Sequence, residues 1–183
     1  MLDMFCESGV AATPLTLVAP GRLDAAKAGL DAAAQSWIAA NDFGAKAGQI
    51  LALPGTGGSI ARVLIGVESP DEVYALSGAA ESLPPGDYRI DGVLAPEAAQ
   101  RLALGWGLAG YAFDRYRARP APRARLAWPA SADRARVEIE LAAIGLVRDL
   151  VNTPANDLGP AALADAAPRR DRFWRFPARA GAS

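Results

Sequence analysis

The sequence predicts an α/β fold, a layered sandwich whose sheet is mixed. Short apolar or β-branched runs recur along the chain, segments of helical periodicity separate most of them, and two runs are joined by only five residues, Gly55-Thr56-Gly57-Gly58-Ser59. Strands alternating with helices build layers. A connection that short joins antiparallel neighbours, so the sheet is not purely parallel. At 183 residues, 51% hydrophobic and 21% charged, the chain suffices for one well-buried core and is too short for two ordinary domains.

Pro14 to Val18 reads as a first strand, ended by Ala19-Pro20-Gly21. Arg22 to about Ala40 is Ala-rich, with Leu23, Ala26, Leu30, Trp37 and Ile38 at helical spacing, and forms one helix or two. Gln49–Pro54 and Ile60–Val67 should form a hairpin around the glycines, which supply positive φ. Asp71 to about Leu83 predicts a helix with Val73, Leu76 and Ala80 on one face and Pro70 just ahead of it. Tyr88–Val93 is a strand. Pro96 opens a long helix through Leu102, Trp106, Ala109, Phe113 and Tyr116, closed by Pro120-Ala121-Pro122. Arg123–Trp128 alternates with period two, as an edge strand defended by charges. Asp133 begins a last helix carrying Val137, Leu141, Ile144, Val147 and Val151, and Pro154 stops it near Asn152.

The chain holds no histidine and one cysteine, Cys6. Ser-His-Asp and Cys-His chemistry, a His-ligated zinc and a disulfide framework therefore cannot be built from it alone. No apolar run approaches the roughly 20 residues that span a bilayer, and the acidic start Met1-Leu2-Asp3-Met4-Phe5-Cys6-Glu7 is unlike a signal peptide, so the expected location is cytoplasmic. Residues 168–183 hold Arg169, Arg170, Arg172, Arg175 and Arg179 against Asp171 alone, beside Phe173, Trp174 and Phe176. That composition, with no helical period, predicts a disordered tail and fits a GC-rich message translated out of frame.

Gly105-Trp106-Gly107-Leu108-Ala109-Gly110 matches the dinucleotide fingerprint in letters, but it falls inside a helical pattern with no strand ahead of it. Helix packing is the better reading. A hairpin turn likewise explains Gly55–Ser59, which lacks the lysine of a phosphate loop. Arg115, Arg117, Arg119, Arg123 and Arg125 around Tyr116 could grip single-stranded nucleic acid. A solvated helix end, with arginines in its last turn, is the simpler account. The acids Asp71-Glu72 and Glu138 with Glu140 are too scattered to share a proton or a metal. No catalytic, cofactor-binding or metal-binding residue is assigned.

Arg148-Asp149-Leu150-Val151-Asn152-Thr153-Pro154-Ala155-Asn156-Asp157-Leu158-Gly159-Pro160 resembles the interdomain segment of the leucyl (cytosol) aminopeptidase family. Ala45–Gly55, Leu83–Arg89 and Gly105–Tyr116 resemble its N-terminal domain. The resemblance implies a macro-domain-like α/β domain over 1–130, a connecting helix and linker over 131–163, and a non-family tail over 164–183. It implies a hexameric hydrolase that removes N-terminal residues from peptides with two divalent ions, zinc, manganese or magnesium. Their ligands lie in motifs such as Asn-Thr-Asp-Ala-Glu-Gly-Arg, which does not occur here. The expectation is thus a truncated or frame-shifted family member that holds the regulatory N-terminal domain and is inactive alone, with Val137, Leu141, Ile144 and Val147 on the helix face that loss of the catalytic domain would leave open. Alternatives are a stand-alone nucleotide or ADP-ribose module and a regulatory partner of full-length subunits.

Overall fold

The computed structural model describes residues 1–7, 11–116 and 124–166. These fall into two units, Met1–Leu141 and Ala142–Ser183, and the boundary between them lies inside one helix. In the first unit, six strands form one sheet: β1 Phe5–Cys6, β2 Thr13–Val18, β3 Ile50–Pro54, β4 Ile60–Gly66, β5 Gly86–Ile90 and β6 Ala124–Ala127. Their order is β1-β6-β5-β2-β4-β3, parallel throughout except for the β3–β4 hairpin. The predicted mixed sheet and hairpin are therefore present, with Gly57 (φ 64°) and Gly58 (φ 82°) turning the connection.

The Ala-rich stretch divides into α1 Leu23–Ala28 and α2 Ala32–Ala40. Asp31 separates them by accepting the Ala34 amide at 2.7 Å as the cap of α2. One sheet face buries Val18, Leu53 and Leu64 with Ile38, Phe43 and Ala45, and Leu23, Ala26, Leu30 and Ala34 pack around them. Register and strand alternation put Leu15, Val63, Tyr88 and Leu126 on the opposite face. On that second side, in chain order, come α3 Ser77–Ser82, α4 Pro96–Ala109 and the start of α5 Arg134–Asn152. Leu76, Leu102, Trp106, Val137 and Leu141 are all buried there.

Four expectations are corrected. The helix expected over 71–83 forms only as α3, because Arg101 of α4 takes the Asp71 carbonyl at 2.7 Å and its carboxylate at 3.0 Å. The chain there advances by i+3 turns, Glu72 to Ser69, Ala75 to Glu72 and Ser77 to Tyr74. The Pro96 helix stops at Gly110, not at Tyr116, its last turn tightening into i+3 bonds as the Gly110 amide reaches the Gly107 carbonyl at 3.2 Å and the Tyr111 amide the Leu108 carbonyl at 3.1 Å. Arg115 is accordingly not in a last helical turn. The strand at 124–127 is no edge, for β6 pairs with β5 and with β1, a two-residue strand that sequence patterning missed. Val137 and Leu141, expected on a face left open, are buried in the first unit.

Asp133 caps α5, its carboxylate accepting the Arg136 amide at 3.1 Å. In the second unit that helix ends at Asn152, and α6 Pro160–Ala166 follows. The stretch 168–183, predicted as a disordered tail, lies outside the described residues.

Candidate functional site

The side chains that sequence reasoning set aside gather on the first sheet face. Thr16, Arg62 and Arg89 occupy β2, β4 and β5, and Asp91 directly follows β5. Thr16 stands beside Leu64, Pro14 beside Arg89, and Asp87 beside Arg125, so alternation brings all these charged groups to one side. Arg62 donates to the Thr16 hydroxyl at 2.6 Å and pairs with Asp91; Arg89 reaches the other oxygen of Asp91 at 3.3 Å. Arg125 grips Asp87 through two bonds, 2.8 and 3.1 Å. Such a fork is the strong form of an ion pair.

Partial burial pushes the Asp91 carboxyl upward, but the hydrogen bonds and charges of Arg62 and Arg89 outweigh it and hold the group below the ordinary carboxylate range. Cys6, next in this row, has its thiol pushed up by burial first and by the neighbouring Asp87 carboxylate second. A thiol shifted that way is less nucleophilic, not more. This row therefore holds neither an activated nucleophile nor a poised base; its acids and arginines neutralise one another. No linear motif announced it, because its members are spread from Thr16 to Arg125. One signal was available, namely charged residues at alternate positions of apolar strands, as with Arg62 in Ile60–Gly66.

The glycine segments turn out as packing and turn devices. A Cβ on Gly105 would fall 1.5 Å from the Val73 carbonyl oxygen, and one on Gly107 would meet Leu141 at 2.5 Å. Trp106 between them is fully buried and donates its indole N–H to the Met4 carbonyl at 3.0 Å. Backbone-to-backbone contact occupies the room a pyrophosphate would need, so the nucleotide-module alternative is not favoured.

The acids stay apart: Asp71 binds Arg101, while Glu138 and Glu140 pair with Arg134 and Arg136 one turn away along α5. Among the described residues no three His, Cys, Asp or Glu side chains form a metal-sized group. Arg115 lies 5.8 Å from the Tyr116 ring. Arg117, Arg119, Arg123 and the tail arginines lie outside the described residues. No described helix is long and apolar enough to cross a membrane.

The linker positions form a compact stop. Within the second unit, Thr153 donates its hydroxyl to the Asp149 carbonyl at 2.7 Å, and Pro154 accepts from the amides of Asp157 and Leu158 at 2.9 and 3.0 Å. Asn152-Thr153-Pro154 thus ends one helix and, through a single turn, aims the chain into α6.

Comparison with known proteins places this architecture. Residues 13–129 match the family model described as the M17 aminopeptidase N-terminal domain. The cytosol aminopeptidase from Coxiella burnetii superposes with a TM-score of 0.86 at 34% identity, over 93% of this chain and 38% of that one. BotP, a bottromycin maturation enzyme solved in complex with manganese, gives 0.64 at 27% identity, over 88% of this chain and 36% of its own. A mutant of tomato leucine aminopeptidase shares the fold, with 0.63 at 21% identity, over 91% of this chain and 41% of its own. A search of curated proteins gives no match. The chain spans about two fifths of the length of the solved structures it matches, covering 38% of the first. By the family model and by the superposition alike, this chain belongs to the M17 aminopeptidase family as its N-terminal domain.

Proposed function

We propose that the chain is the non-catalytic N-terminal part of a leucyl aminopeptidase, an enzyme that removes N-terminal residues from peptides by two-metal hydrolysis. The observation that carries this reading is the family match over residues 13–129, continued by a long helix that ends at Asn152. The chemistry of such an enzyme, a metal-activated water attacking a polarised carbonyl, needs clustered oxygen and nitrogen donors. The described residues offer ion pairs instead. The hydrolytic centre, with its zinc, manganese or magnesium, belongs on this reading to the part of family members beyond the region matched here. A cytoplasmic location and a homo-oligomeric assembly, hexameric in the intact enzyme, belong to the same proposal.

The role left to this domain is regulatory and architectural: a rigid sheet that fixes the start of α5, whose later turns lead toward the rest of an enzyme. Val147 and Val151, one turn apart on α5, and Leu163 on α6 are exposed apolar side chains that such a partner domain could cover. The test is hydrolysis of leucine p-nitroanilide and of leucyl dipeptides by the purified chain with added manganese, zinc or magnesium. The expected rate equals that of buffer. Metal-dependent turnover that co-elutes with the chain and scales with its concentration would overturn the reading.

A further inference from the structure

The sheet has two edges of unequal length. On one side β1 offers only two residues; on the other, β3 offers five, Ile50-Leu51-Ala52-Leu53-Pro54. Gly66 donates to the Gln49 carbonyl at 2.8 Å, so Gln49 and, by alternation, Leu51 and Leu53 turn their polar groups toward β4. Ile50 and Ala52 consequently point their N–H and C=O groups outward, along an edge that no described strand pairs. Pro54 contributes an outward carbonyl and no donor.

One of these outward groups is already taken. The Trp37 indole, carried on α2, donates to the Ala52 carbonyl at 3.1 Å. Trp37 itself is 43% exposed, far more than the fully buried Ile38 beside it, so core packing does not explain a tryptophan at that position.

We propose that the β3 edge is a latent strand-pairing surface, held closed by Trp37, and that the strand it accepts is β3 of a second copy of this chain. The pattern of outward groups is self-complementary about Ala52. In an antiparallel two-fold pairing, Ala52 exchanges both of its bonds with the Ala52 of the other copy, and each Ile50 amide donates to the opposite Pro54 carbonyl. Both central bonds require the Ala52 carbonyl that Trp37 occupies. The exposed indole works as an edge guard, in the manner of the lysines, prolines and bulges that blunt sheet edges elsewhere. Here Pro54 and the register shift at Leu53/Pro54 add to it.

The test compares the wild-type chain with Trp37→Phe, which keeps an aromatic ring and removes only the donor. Sedimentation velocity across a wide concentration range should show Trp37→Phe dimerising at about tenfold lower concentration, two released indole bonds each contributing a few-fold. Hydrogen exchange on the same samples should show the Ile50 and Ala52 amides slowing in the dimer while Leu51 stays slow throughout. A Trp37→Phe chain that associates no more readily than wild type overturns the proposal. So does association that leaves the Ile50 and Ala52 amides exchanging at their monomer rates, because the contact then lies elsewhere.

Discussion

The two faces of the sheet are built from the same strands and held by different physics. Behind the face carrying Leu15, Val63, Tyr88 and Leu126, helices approach so closely that Gly105 packs its Cα against the Val73 carbonyl and Trp106 disappears from solvent. On the other face, an apolar half under α1 and α2 gives way to a row of ion pairs from Thr16 and Arg62 to Arg125. The first arrangement stores its stability in shape, which a single atom can spoil. The second stores less, in charges that solvent partly screens. The face that fixes the fold is thus the one with no chemistry on it.

The largest expected effect is on the packed face. Trp106→Ala should cost about 3–5 kcal/mol, since it leaves a cavity and orphans the Met4 carbonyl. Urea unfolding measures it, and a loss under about 1 kcal/mol would show that this side is not close-packed. Gly105→Ala comes next at about 2–3 kcal/mol, because the obstacle is backbone, not a flexible side-chain end. A neutral result there would mean that α4 can slide away from residues 71–76.

Much of the fold was legible in the sequence. The sheet, the hairpin, the last helix from near Asp133 and its stop at Asn152 all follow from local signals: β-branched runs, glycines between them, a periodic apolar segment and a proline after it. What local signals missed depends on distant partners. The segment 71–76 has a helical pattern, yet Arg101 takes its carbonyl from 30 residues away. Phe113 and Tyr116 continue the period of α4, but the helix ends at Gly110, whose neighbour in space is Met4 from the other end of the domain. Arg125 looked like edge protection because nothing in its own strand reveals Asp87. The charged row left only the faint signal of charges alternating within apolar strands, because it is assembled from β2, β4, β5 and β6 only after the strands pair.

On the charged face the effects should be smaller. Arg62→Met should destabilise the domain by about 1 kcal/mol, the worth of a partly exposed, hydrogen-bonded pair. It should also raise the Asp91 titration toward an ordinary carboxylate, which carbon-detected NMR reads directly. The sign of the linkage follows: a carboxyl whose folded pKa is depressed contributes stability that is present above the unfolded value of about 3.9 and lost as pH falls through the folded value. Wild type should therefore lose more stability than Arg62→Met between about pH 4 and the folded pKa, and equal losses would remove Asp91 from the account. Smallest of all is Asp87→Asn, at about 0.5 kcal/mol, with the Cys6 thiol titrating lower once the adjacent carboxylate charge is gone. Thiolate absorbance against pH checks that direction.

The most direct test of the proposal that this domain supplies architecture and no hydrolytic centre is a calorimetric titration of the purified chain with manganese and with zinc. The account predicts only dilution heats, with no stoichiometric uptake. Binding of one or two ions per chain at micromolar or tighter affinity would contradict it.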